Sequence, residues 1–121
     1  DFVLRQLGPS LPRKTWAISG WLGLDLVAPV STTVPSATIY LDPPTYDHYL
    51  DETLDRYDMR RTERGARLEF VRSEPHVLGQ AQLASGGVHV VSQARLYGDL
   101  LRHGVRGADA AEHLRETRMR Y

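Results

Sequence analysis

The sequence predicts an α+β domain, with a small mixed or antiparallel sheet packed by helices and closed by a C-terminal αα-hairpin. Three features carry this expectation. Short stretches at 37–42, 67–72 and 88–91 alternate apolar with polar residues or concentrate β-branched ones, as half-buried strands do. Apolar residues at 46–57 and again at 92–114 recur three or four positions apart, the period of a helix buried along one face. The chain has 121 residues, enough for one core over 1–121 without metal or cross-link.

Taken in order, residues 1–14 hold Gly8, Pro9 and Pro12 close together and are expected to form an irregular lead-in. Trp16 to Ile18 suits a short extended piece. Ser19 is then placed to cap a helix carrying Leu22, Leu24, Leu26 and Val27 as far as Pro29. Gly20 and Gly23 would each weaken that helix by about 1 kcal/mol against alanine, so close approach of another backbone is expected there. Trp16 and Trp21 are assigned to the core. Ala37 to Asp42 alternates as a strand, with Ile39 and Leu41 facing one way, and Pro43 and Pro44 end it. Tyr46, Leu50, Leu54 and Tyr57 follow on one face of an amphipathic helix, with Asp47, Asp51, Asp55 and Asp58 beside them. Arg60 and Arg61 suit the negative end of that helix dipole.

After a turn at Glu63-Arg64-Gly65, Arg67 to Arg72 reads as a half-buried strand offering Leu68 and Phe70 to a core. Val77 to Leu83 and Val88 to Val91 are two further strands, joined as a hairpin through Ser85-Gly86-Gly87. In the closing segment Ser92 caps a helix in which Leu96, Leu100 and Leu101 share a face. Gly104 falls where a left-handed C-terminal cap belongs, and a second helix starting near Gly107 buries Ala110, Ala111 and Leu114.

Composition removes several kinds of chemistry. There is no cysteine, hence no disulfide framework, thiolate zinc site or cysteine nucleophile, and a reducing, cytoplasmic setting fits. No apolar run reaches the roughly 18 residues that a membrane-spanning helix needs. His48, His76, His89, His103 and His113 include no i, i+4 pair of the metalloprotease kind, and no phosphate-binding glycine loop or Gly-x-Ser-x-Gly elbow occurs. His89, between Val88 and Val90, reads as a satisfied sheet histidine. No catalytic residue, metal or cofactor is assigned. The alternative reading is a metal-dependent, nuclease-like enzyme domain, intact or degenerate. It would use Asp42 at a strand end with Glu69 in Glu69-Phe-Val-Arg72, by comparison with nucleases that hold a divalent cation with an acidic residue followed by Glu-x-Lys, a motif whose lysine is missing here.

Charge is balanced overall but unevenly spread. Residues 1–55 hold three basic against seven acidic groups, whereas residues 56–121 hold twelve arginines against eight acids. The densest basic cluster, Arg60, Arg61, Arg64 and Arg67, is the candidate contact for nucleic acid or an acidic partner, because guanidinium groups suit both kinds of anion. A second group, Tyr97, Asp99 and Arg106, would meet around the hairpin turn. There Asp99 is expected to accept from Arg106 or from free N–H groups of the next helix and fix the interhelix angle, a structural role.

The order Trp16-Ala-Ile-x-Gly20, the strand Ala37 to Asp42 with Pro43, the strand Val88 to Val91, and above all Ser92-x-x-x-Leu96-Tyr97-x-Asp99-Leu100-Leu101-x-x-Gly104-x-Arg106-Gly107-x-x-Ala110-Ala111-x-x-Leu114-Arg115 carry a resemblance. Over most of its length the chain resembles the C-terminal domain of AbiEi-type antitoxins, of type IV toxin-antitoxin systems, and of related bacterial transcriptional regulators. The resemblance implies an effector domain contributing to toxin antagonism or to cooperative operator binding, with DNA bound through the full-length protein and a cognate toxin as partner. In that family a DNA-binding winged helix precedes such a domain and is absent from this sequence. Since Asp1 rather than methionine opens it, the chain is expected to be the C-terminal part of a longer protein.

Overall fold

The computed structural model describes residues 15–29, 36–57, 68–84 and 88–119. In chain order these form β1 (Trp16–Ser19), α1 (Gly20–Val27), β2 (Ala37–Leu41), α2 (Pro43–Arg56), β3 (Leu68–Arg72), α3 (Pro75–Gly79), β4 (Gln82–Leu83), β5 (His89–Val90), α4 (Gln93–Leu101) and α5 (Gly104–Leu114), with a π-helical extension over Arg115–Met119. The fold is α+β: a five-stranded mixed sheet of order β3-β2-β1-β5-β4, packed by helices.

The centre of the sheet is the antiparallel pair β1 and β2, in which Ala17 lies opposite Tyr40, Ile18 opposite Ile39 and Ser19 opposite Thr38. β2 is also parallel to β3, the two being joined through α2, and β1 is parallel to β5. Side chains alternate across a strand, so β2 turns Ala37, Ile39 and Leu41 one way and Thr38 and Tyr40 the other. The first set joins Ile18, Leu22, Leu50 and Leu54 in a core under α2. Ala17 and Tyr40 belong to a second core with Leu24, Val91, Leu96, Leu100, Ala111 and Leu114, which seats α4 and α5.

Most expected elements are present. Leu50 and Leu54 are buried with Tyr46 and Tyr57 packed beside them, and Ala110, Ala111 and Leu114 are buried on α5. The Ser92 hydroxyl accepts from Arg95 N–H, as a cap should. β4 and β5 pair antiparallel as the hairpin signal requires, with Leu83 opposite His89, while residues 85–87 of the turn lie outside the described residues. Gly104 has φ of 73° between α4 and α5, the left-handed conformation that ends one helix and redirects the chain into the next.

The corrections have physical causes. Val77 to Leu83 is not one strand. Pro75 supplies a preset first-turn φ, and Val77 N–H donates to Glu74 C=O at 3.1 Å, so the Val77-Leu78 pair is served by a short helix and only Gln82–Leu83 extends. The second hairpin helix begins at Gly104 rather than near Gly107. Leu101 does not share the buried face of Leu96 and Leu100 but is 46% exposed at the end of α4. Trp16 and Trp21 are only partly buried, packed on the core rather than inside it. The α1 glycines have a packing reason, though the tight neighbours are side chains rather than another backbone: a Cβ on Gly23 would stand 3.1 Å from Leu96 Cδ1, and Gly20 takes a left-handed φ of 68° where a Cβ would stand 2.9 Å from Thr38 Oγ1. The lead-in at 1–14 and the segment 58–67, with the Arg60 and Arg61 helix end, lie outside the described residues.

Candidate functional site

The polar centre of the molecule is Asp99. The register of β1 with β2 sets Ser19 and Tyr40 two positions apart on the sheet face that α4 covers. Leu96 and Leu100 anchor α4 there, and Asp99 between them is 4% exposed. Its Oδ2 accepts from Ser19 Oγ at 2.6 Å and from Tyr40 Oη at 2.7 Å, and its Oδ1 accepts from Arg102 Nη2 at 2.8 Å. A buried carboxylate is costly unless hydrogen-bonded and paired, and these three donors meet that requirement. Burial pushes the Tyr40 phenol up to about 12, with the hydrogen bond to Asp99 and its negative charge acting in the same direction.

Ser19 therefore does not cap α1; its hydroxyl is turned to Asp99 and no side-chain cap bond forms. Being fully buried, it offers no accessible nucleophile. The network ties a helix to two strands.

Beyond Arg102, which belongs to this network, the same hairpin carries two further placed guanidinium groups. Arg102 reaches Asp99 yet its side chain is 65% exposed. Arg95, seven residues earlier and so two turns away on the same side of α4, lies over the Tyr40 ring at 6.0 Å from its centroid. Arg106 lies over Trp21 at 5.8 Å, with the His103 ring 6.0 Å from the same indole. Each arginine is positioned by a group of the sheet or of α1, through a carboxylate in one case and an aromatic face in two. Leu101 and Val105, the latter 81% exposed, sit among them at the hairpin turn.

No protein-family model, curated protein or solved structure matches the chain.

Of the residues singled out from sequence, Asp99 lies at the junction of hairpin and sheet, but its partner is Arg102 and not Arg106. An Asp99–Arg102 pair spans one helical turn, whereas Arg106 lies beyond the Gly104 reversal and is directed to Trp21. Tyr97 is partly buried against the α4–α5 core. Arg60, Arg61, Arg64 and Arg67 all lie outside the described residues, whereas Arg72 pairs with Asp47 of α2.

Asp42 and Glu69 are not brought together. Glu69 stands opposite Thr38 and accepts its hydroxyl proton at 3.3 Å, while Asp42 is four residues further along and caps α2 through Thr45 N–H. At about 3.3 Å per residue the two are roughly 13 Å apart along the sheet, too far to share one cation. Among the described residues no three His, Cys, Asp or Glu are grouped to hold a metal, and no helix is long and apolar enough to cross a membrane. Sequence reasoning missed Ser19, Tyr40, Arg95 and Arg102. A sequence signal existed only for Arg95 and Arg102, whose spacing of seven places them on one helical side.

Proposed function

We propose that this chain is the effector domain of an antitoxin-type transcriptional regulator, working in the cytoplasm as a binding module rather than as a catalyst. The observation that carries the reading is the αα-hairpin. The residues behind the family resemblance, from Ser92 to Leu114, build it, and its buried carboxylate is used to fasten it to the sheet. Its exposed positions include Arg95, Arg102 and Arg106 with Leu101 and Val105 around the turn, while the acids Asp109 and Glu112 are exposed further along α5. Guanidinium groups held in place lose less freedom on binding, and together with exposed apolar side chains they suit an acidic protein surface. The occupant in this reading is the cognate toxin. DNA is bound by the full-length regulator through its winged helix, with Arg60, Arg61, Arg64 and Arg67 as an auxiliary contact to phosphates or to the partner.

The test is co-expression of the chain with the product of the gene beside its own, read as growth. Rescue of growth by the intact chain, lost when Arg95 and Arg106 are changed to glutamine, supports the reading. Rescue that survives both substitutions places the contact elsewhere, and no rescue by the full-length regulator removes the antitoxin assignment.

A further inference from the structure

A cavity of about 440 Å³ opens at the opposite end of β1 from Ser19, lined by Trp16, Asp42, Pro75, Leu78, Gly79 and His89 among others. Its size is that of a small-molecule site, mostly apolar with a few polar groups. We propose that it binds a small organic cation, an ammonium or guanidinium group carried on an apolar body, with Asp42 as the counter-charge.

The argument begins with what the cavity cannot offer. Asp42 is the N-cap of α2, and a helix N-terminus ordinarily presents free N–H groups to anions. Here Pro43 and Pro44 have none. Thr45 N–H donates to Asp42 Oδ1 at 2.9 Å, Tyr46 N–H to Asp42 C=O at 2.9 Å, and Asp42 N–H to Thr15 C=O at 2.8 Å. Every donor of that turn is committed, so an anionic ligand would meet a carboxylate without compensation.

What the cavity does offer suits a cation. Among the described residues Asp42 Oδ2 accepts from no donor, and the Asp42 side chain is the one acid in the lining. Trp16, partly buried, is a second lining residue, and an indole is the best aromatic partner for a cation. Leu78 and Pro75 add apolar wall, and the exposed His89 completes the polar part of the lining. His89 is a sheet residue on β5, as the sequence suggested, and it is exposed and lines the cavity.

The experiment is an amide and indole NMR titration of the intact chain with benzylammonium, using benzyl alcohol and benzoate as the neutral and anionic counterparts. The chain has two tryptophans, so the Trp21 indole N–H serves as an internal control for the Trp16 signal. Benzylammonium is expected to move the Trp16 indole and the Gly79 and His89 amides saturably while Trp21 stays still. Benzyl alcohol should bind at least about tenfold more weakly, the value of a charge-assisted bond, and benzoate should not bind. Asp42→Asn keeps a good N-cap, hence the fold, and should cost about tenfold in benzylammonium affinity. Gly79→Leu places a side chain at the wall, where a Cβ would meet no heavy atom within 4 Å, and should abolish binding. Equal affinity for benzyl alcohol, unchanged affinity in Asp42→Asn, or no saturable shift of Trp16 in the millimolar range would overturn the proposal.

Discussion

Replacing Asp99 by alanine should cost more than any other single polar substitution in the described structure. The change leaves Ser19 Oγ, fully buried, and Tyr40 Oη without their acceptor, since both are held by Oδ2 of this one residue. Each orphaned buried hydroxyl costs about 1–3 kcal/mol, so the expected loss is about 3–5 kcal/mol once partial relaxation is allowed. Against the roughly 5–15 kcal/mol by which domains are stable, that is a large fraction. Asparagine is a milder change: its amide oxygen can keep the two hydroxyls, and its NH₂ faces only Arg102, which is exposed enough to turn away. About 1–2 kcal/mol is expected for Asp99→Asn. The assay is urea denaturation followed by circular dichroism, with the midpoint moving and the slope unchanged. A loss below about 1 kcal/mol in Asp99→Ala would refute the account of Asp99 as the fastening between hairpin and sheet.

Two further outcomes follow from the geometry, and a third from the charge pattern of the sequence. Tyr40 is raised in the folded state, so below its ordinary value of 10 both states hold the proton and its contribution to stability is complete. Between 10 and about 12 the unfolded chain releases the proton first; stability should therefore fall across that window, and Tyr40→Phe should flatten the fall in denaturation measured at stepped pH. A Cβ on Gly107 would overlap Leu100 O and lie 2.7 Å from His103 Cβ, so Gly107→Ala should force the hairpin apart at a cost of about 3 kcal/mol. At Gly104, where nothing stands within 4 Å, alanine should cost only about 1 kcal/mol for its left-handed backbone, and thermal melts of the two variants read the contrast. Under the proposed function, operator affinity of the full-length protein measured across salt should lose about 0.9 of log-log slope per phosphate contact removed when Arg60, Arg61, Arg64 and Arg67 become glutamine. An unchanged slope would exclude those contacts.

How far the sequence could be read depended on the distance over which each residue acts. Gly104, the Ser92 cap, the Ala110, Ala111 and Leu114 face and the β4–β5 hairpin are local features, set by residues within a turn or two of one another. Asp99 is different. Its periodicity placed it on α4, but its partners Ser19 and Tyr40 are 80 and 59 positions away, and no local pattern says which strands a helix will cover. The same gap explains the assignment of Asp99 to Arg106, a near neighbour in sequence that the Gly104 reversal turns toward Trp21. Val77 to Leu83 failed for another reason: an apolar run this short fits a strand or a helical turn equally, and Pro75 was the feature that decided it. The cavity was invisible for the reason that hid the Asp99 network, since Trp16, Asp42, Gly79 and His89 come from four separate parts of the chain.

The central claim is that the exposed side of the α4–α5 hairpin is a partner contact. Its most direct test is calorimetric titration of the chain, intact and with Arg95 and Arg106 both changed to glutamine, against the purified product of the neighbouring gene. Neither arginine bonds to Asp99, and each lies over one aromatic ring, so the double variant should lose no more than about 1–2 kcal/mol of stability and stay folded. Affinity should fall at least about tenfold, as loss of two placed guanidinium groups at an acidic surface implies. Equal affinity of the two proteins, with the fold intact in both, would contradict the claim.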